Sequence, residues 1–174
     1  WISPGFFDTK FEIFDIAAGI DQVPSMRNFD ALIVSGSERS VYDDISWHDD
    51  VSHALHESRE MGKPIFGICF GHQIMASTFG GEVRRSNEDD FIGIKKFVQT
   101  DGHTFSRFVW HHDQVTRPPK CAAVVASSDY CPFASLEYDF PAFSVQYHPE
   151  FEKKYFEKLL LAGSGIFLSL EQTQ

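Results

Sequence analysis

Cys69 stands between two glycines, Gly67 and Gly71, each two residues away. The apolar stretch Pro64-Ile65-Phe66-Gly67-Ile68 runs into it, and Gln73-Ile74-Met75-Ala76-Ser77-Thr78-Phe79 leads away with helical character. Strand, sharp turn and helix, with the reactive side chain at the turn, is the geometry of a nucleophile elbow. Glycines on both sides leave room for so tight a turn. A thiol at that point lies at a helix N-terminus, where free N–H groups and the helix dipole favour thiolate. Far downstream comes Gln146-Tyr147-His148-Pro149-Glu150. In extended backbone, residues two apart project from the same face, so His148 and Glu150 lie side by side. Pro149 disfavours helix at His148 and keeps the segment extended. A carboxylate beside a histidine fixes its tautomer and stabilises its cation. Cys69, His148 and Glu150 thus supply nucleophile, base and orienter for thiol acyl transfer. An oxyanion hole needs two N–H donors. Phe70, just after the nucleophile, offers one, and Gly36 in the small-residue loop Ser35-Gly36-Ser37 offers the other.

The elements that must position these groups read as an α/β protein. Residues 10–16 alternate polar and apolar and predict a strand, and residues 17–28 a loop with a short helical turn. Asp30-Ala31-Leu32-Ile33-Val34 predicts a buried strand, and the Ser35-Gly36-Ser37 loop follows it. Val51, Ala54, Leu55, Ser58 and Met61 recur at helical spacing over residues 49–61, and Gly62-Lys63-Pro64 ends that helix. After the elbow and its helix the pattern changes. Short strand-like runs occupy residues 82–85, 92–98, 107–110, 122–126, 133–137 and 142–147, separated by turn residues. Residues 150–162 predict a closing helix with Phe151, Tyr155, Phe156, Leu159 and Leu160 on one face. Residues 166–170 add a short helical turn, and Asn87-Glu88-Asp89-Asp90 reads as a solvated loop. Strand–helix alternation first and antiparallel strands afterwards predict a mostly parallel sheet flanked by helices, extended by antiparallel strands in the second half. Residues 1–174 read as one domain, without repeat or linker. The chain opens at what looks like the end of a strand–helix unit. The expectation is therefore a first strand preceding Trp1; the rival is a natively short variant.

Composition narrows the function classes. Hydrophobic residues make up 43% and charged residues 23%, which marks a globular chain with 18 Phe for its core. The net charge of −10 and the absence of a basic stripe argue against nucleic-acid binding. No apolar run has the length of a membrane span, and Trp1-Ile2-Ser3-Pro4 does not read as a secretory leader, lacking a basic start and a long apolar run. Three unpaired-looking cysteines predict a reducing, cytoplasmic setting, with Cys121 and Cys131 structural.

Two motifs together resemble a known family. Gly67-Ile68-Cys69-Phe70-Gly71-His72-Gln73 is similar to the G-x-C-x-G-x-Q signature of class I (triad) glutamine amidotransferase domains, and Tyr147-His148-Pro149-Glu150 to their H-P-E signature. Ser35-Gly36-Ser37 falls where that family has S-G-G, with Ser37 in place of the second glycine. Trp110-His111-His112-Asp113-Gln114-Val115 resembles the H-x-D-x-V segment of members such as the amidotransferase half of GMP synthetase. The resemblance runs from about residue 10 to the closing helix. It implies a flavodoxin-like sheet on which Cys69 attacks the side-chain amide of glutamine, His148 handles the leaving ammonia and then water, and Glu150 orients His148. Gly36 and Phe70 would hold the oxyanion. Ser37, Gln73, His111 and His112 would contact the substrate. His111, His112 and Asp113 are also metal-ligand types, but the resemblance accounts for that segment without a metal, and no cofactor is expected.

Three readings stay open. One is a glutaminase that passes ammonia to a separate synthase. Another is a stand-alone hydrolase of other γ-glutamyl compounds. The third is a non-catalytic binding module on the same fold. Within the 174 residues there is no synthetase module to decide between the first two.

Overall fold

A computed structural model describes residues 9–86 and 91–163. Its centre is β2 (Ile65–Ile68), flanked in parallel by β1 (Leu32–Val34) and β9 (Ala142–Val145). Register places Val34 beside Gly67, and Gly67 beside Ser144. Beyond β9 the sheet turns antiparallel through β8 (Ser135–Tyr138), β7 (Ala122–Ser127), β4 (Phe91–Gln99) and β5 (Thr104–His111), giving the order β1-β2-β9-β8-β7-β4-β5. β3 (Glu82–Arg85) and β6 (Asp113–Arg117) form a separate antiparallel pair. The expected mixed α/β sheet, parallel first and antiparallel later, is the one observed.

The helices follow from their patterns. α1 (Trp47–Glu60) buries His48, Val51, Ala54, Leu55 and Ser58, one stripe at helical spacing. α2 (Phe70–Thr78) buries every residue from Phe70 to Ala76, so it is apolar or enclosed all round. It packs on β2 and against α1, where Phe70, Ile74 and Met75 join Leu55, Ile65, Val115 and Leu136 in one core. A second core on the other side of the elbow joins Ile68, Phe97, Val109, Val145 and Tyr147. α3 (Lys153–Gly163) is anchored by Phe156, stacked on Phe108 of β5 at 4.5 Å between centroids.

One expected element is absent. Residues 10–16 form no strand; Phe11 and Ile13 are 50% and 90% exposed. Alternation yields a strand only where a neighbouring strand takes up the backbone groups. Here Asp15 closes a turn instead: its N–H donates to the Asp21 carboxylate at 2.7 Å, and its own carboxylate accepts the Ala18 N–H at 3.1 Å. One strand was not expected: β6, because Asp113-Gln114-Val115-Thr116-Arg117 reads first as part of a polar motif. The closing helix starts later than expected, at Lys153, since residues 146–152 stay extended or irregular around Pro149. The helical turn expected at 166–170 and the loop expected at 87–90 lie outside the described residues.

Candidate active site

Cys69 has φ 53° and ψ −104°, the one positive φ at a non-glycine position among the described residues. The elbow is held on both sides. The Cys69 N–H donates to Val145 O at 2.8 Å, and the Gln73 N–H donates to Cys69 O at 3.1 Å to start α2. The flanking glycines are required by crowding. A Cβ at Gly71 would sit 2.0 Å from Val34 O, and one at Gly67 would meet Met75 Sδ at 2.5 Å and Gly71 O at 2.6 Å. No side chain fits either place, which is how β1, β2 and α2 come close enough to lift the thiol clear of the sheet.

His148 reaches this thiol from the end of β9. Its N–H donates to Phe108 O at 2.9 Å, a bridge that ties residue 148 to β5. Its Nδ1 lies 2.6 Å from Glu150 Oε1, the outcome expected of an extended His-Pro-Glu segment. The Phe151 ring stacks on the imidazole at 4.0 Å and 10°. Burial alone would draw the His148 pKa down, but hydrogen bonds to Cys69 and Glu150 and their negative charge outweigh it, and it is pushed up to about 9. With Nδ1 committed to Glu150, Nε2 is the nitrogen left to face sulfur. Cys69 Sγ also contacts Trp110 O at 3.6 Å.

A cavity of about 770 Å³ opens over these groups, walled by the 35–40 loop, the residues joining β5 to β6, and α3. Gly36 faces the thiol and imidazole: a Cβ there would lie 3.2 Å from His148 Cε1 and 3.7 Å from Cys69 Cβ. Phe70 is the first residue of α2. Ser37, Gln73, His111 and His112 all line the same cavity, so every residue singled out in the sequence is at or beside it. Their environments differ. Gln73 is 3% exposed, and its Nε2 donates to Asp113 O at 2.8 Å and to Gln146 Oε1 at 3.2 Å. His111 is buried, with Nδ1 2.9 Å from Asp113 O and Nε2 without a partner among the described residues. Burial, reinforced by the charge of His148, lowers its pKa to about 3, so it is neutral. Among the described residues no group of three or more His, Cys, Asp or Glu is arranged to hold a metal ion. No helix among them is long and apolar enough to cross a membrane.

The roles of two residues were not anticipated. Gln146, fully buried, points its Nε2 at Cys69 Sγ at 3.8 Å and so links the thiol through Gln73 to β6. Asp113 anchors the 35–40 loop and the turn after it. Its carboxylate accepts the Ser40 hydroxyl, and the Tyr42 hydroxyl at 2.7 Å. The alternation around His148 could have flagged Gln146, two residues earlier on the same face; nothing local connects Asp113 to residues more than seventy positions away. A thiol, an imidazole and a carboxylate in this order, at a helix start and beside a glycine loop, can perform nucleophilic acyl transfer.

A family model described as glutamine amidotransferase class-I matches residues 7–166. A glutamine-hydrolysing GMP synthase of Aeropyrum pernix is 39% identical over 126 residues, covering 68% of this chain and 24% of that protein. A subunit of the glutamine-hydrolysing GMP synthase of Sulfolobus acidocaldarius is 32% identical over 137 residues, covering 74% of this chain and 71% of that protein. In structure, a glutamine amido transferase from Methylobacillus flagellatus superposes with a TM-score of 0.81 at 21% identity, over 88% of this chain and 65% of that one. The chain spans about a quarter of the length of the full GMP synthases it matches, 24% in each of the first two.

Proposed function

This chain belongs to the class-I glutamine amidotransferase family, and on that premise we propose that it hydrolyses the side-chain amide of glutamine at Cys69 and supplies the ammonia to a separate synthase. The observation that carries the reading is the His148–Glu150 contact of 2.6 Å beside a thiol held at positive φ. His148 serves as the base that takes the thiol proton, in keeping with its raised pKa. Cys69 Sγ attacks the amide carbon, and the backbone N–H groups of Phe70 and Gly36 stabilise the oxyanion. His148 gives its proton to the leaving nitrogen, so the C–N bond breaks as ammonia departs and a γ-glutamyl thioester remains. Water, deprotonated by the same imidazole, then releases glutamate. Glu150 keeps Nδ1 protonated and the ring in place. Ser37 and the His111–His112 segment contact the amino-acid part of glutamine, and Gln73 supports that wall through Asp113. Support for a separate acceptor comes from the Sulfolobus relative, which is named as one subunit of its synthase and is matched over most of its length.

The test is labelling with a glutamine-mimicking diazo-ketone, alongside ammonia release from glutamine. Stoichiometric label on the native chain, lost in Cys69→Ser together with turnover, is expected. Equal labelling of Cys69→Ser would remove Cys69 as the nucleophile.

A further inference from the structure

The cavity is larger than glutamine needs. At about 770 Å³ it falls within the range of about 300–1,000 Å³ that holds drug-sized ligands, whereas glutamine has only about ten heavy atoms. Two segments of its lining differ in chemistry. On the 35–40 loop the lining is polar: Ser37, Glu38, Arg39 and Ser40. Along α3 the lining is apolar, starting from the His148 ring and continuing as Phe151, Tyr155, Leu159 and Ala162. Phe151 stacks on His148, and Tyr155 meets Phe151 edge-on at 5.1 Å. Residues 155, 159 and 162 are spaced four and three apart, so they form one stripe along α3. Tyr155 is 53% exposed.

We propose that this site cleaves γ-glutamyl amides whose amide nitrogen carries an apolar or aromatic group, with that group lying along Phe151, Tyr155 and Leu159. The proposal rests on the glutamine chemistry above and names a wider substrate class for it. The polar loop takes the charged α-amino and α-carboxylate end. The scissile carbon sits at Cys69. The leaving nitrogen then faces His148, and whatever that nitrogen carries is directed onto the apolar stripe that begins at the imidazole. The chemistry balances as for glutamine. The S–C bond forms, the C–N bond breaks, and His148 delivers the proton that turns the leaving group into a free amine. Water then cleaves the thioester to glutamate. Ammonia has no surface to place on this stripe; an arylalkyl amine covers it.

The experiment compares kcat/KM of the native chain for glutamine, γ-glutamyl methylamide and γ-glutamyl phenethylamide. The two amides have leaving amines of similar basicity, so their ratio reports contact rather than leaving-group chemistry. The phenethylamide is expected to exceed the methylamide by about tenfold or more, the scale of a few methylenes in an apolar pocket. Tyr155→Ser and Leu159→Ser should each pull that ratio back toward one. Glutamine hydrolysis with a phenethylamide no better than the methylamide overturns the proposal and leaves the glutaminase reading standing. A ratio unchanged in both variants overturns it too. Failure on all three compounds, glutamine included, overturns both readings together.

Discussion

His111-His112-Asp113 and His148-Pro149-Glu150 share one spacing: a histidine, one residue, then an acid. Both histidines are buried against the same cavity, at 3% and 6% exposure. Their proton affinities nevertheless go opposite ways, down to about 3 at His111 and up to about 9 at His148. The difference lies in the partners: His148 meets the Cys69 thiol and a carboxylate aimed at its ring, and His111 meets neither. Glu150 turns back onto Nδ1 of its own histidine at 2.6 Å. Asp113 turns away to the hydroxyls of Ser40 and Tyr42 and offers His111 only its backbone carbonyl. A carboxylate offsets the desolvation of an imidazolium; a carbonyl beside a second cationic ring does not. Spacing alone therefore identifies two possible histidine–acid pairs, and tertiary placement joins one as a pair and leaves the other histidine neutral in the wall.

The contrast can be broken at its stronger end first. His148→Ala should lower glutamine turnover by about 10³-fold or more with the fold retained, as removal of a triad member does. Ammonia release and circular dichroism check both halves, and retained turnover would take His148 out of the mechanism. Glu150→Gln keeps the shape but removes the charge, and should cost about 10²-fold in kcat. Its pH–rate profile should show the His148 ionisation moved down from about 9 toward the ordinary value; a profile that does not move would dissolve the pairing. At the other segment, Asp113→Ala should act on stability rather than chemistry. Losing two hydroxyl contacts to a buried carboxylate is worth about 2 kcal/mol in denaturant unfolding. A loss in kcat as large as that of Glu150→Gln would mean that the two segments are not so different.

The smallest effect is in the pH dependence of stability. For His111 the unfolded chain binds a proton below about pH 6.5 and the folded one only below about 3. Stability from its burial is thus complete above pH 6.5 and is lost as pH falls toward 3. His72, buried on the inner face of α2 with Nδ1 2.8 Å from Ser144 Oγ, has its pKa lowered to about 3 by burial and acts in the same sense. His148 has the opposite sign: its contribution is complete below about 6.5 and is lost as pH rises through about 9. His111→Gln should shallow the acid limb of a melting-temperature profile and spare the alkaline limb. A change confined to the alkaline limb would contradict the assignment.

These cases also explain what could be read in advance. Elbow, His-Pro-Glu segment and helix stripes are local patterns, and each sits where its spacing puts it. The strand expected at residues 10–16 failed because alternation cannot say whether a partner strand is present, and Asp15 with Asp21 supplied a turn instead. β6 was hidden because its polar residues mask a strand whose inward positions are Asp113 and Val115. Gln146 and Asp113 act through partners such as Gln73, Ser40 and Tyr42 that are distant in sequence, and no local window contains such pairs.

The backbone at residue 69 carries one more consequence. Replacing glycine by alanine normally stabilises a protein by about 0.4–1 kcal/mol, because the unfolded chain loses freedom. At φ 53° that order should invert, since alanine would keep a conformation costing about 1–3 kcal/mol that glycine adopts freely. Of two inactive proteins, Cys69→Gly should then melt above Cys69→Ala. Folding on its own would favour no side chain at this position, so under the proposed mechanism what retains one is its use as the nucleophile, and a lineage released from that use has a downhill path to glycine.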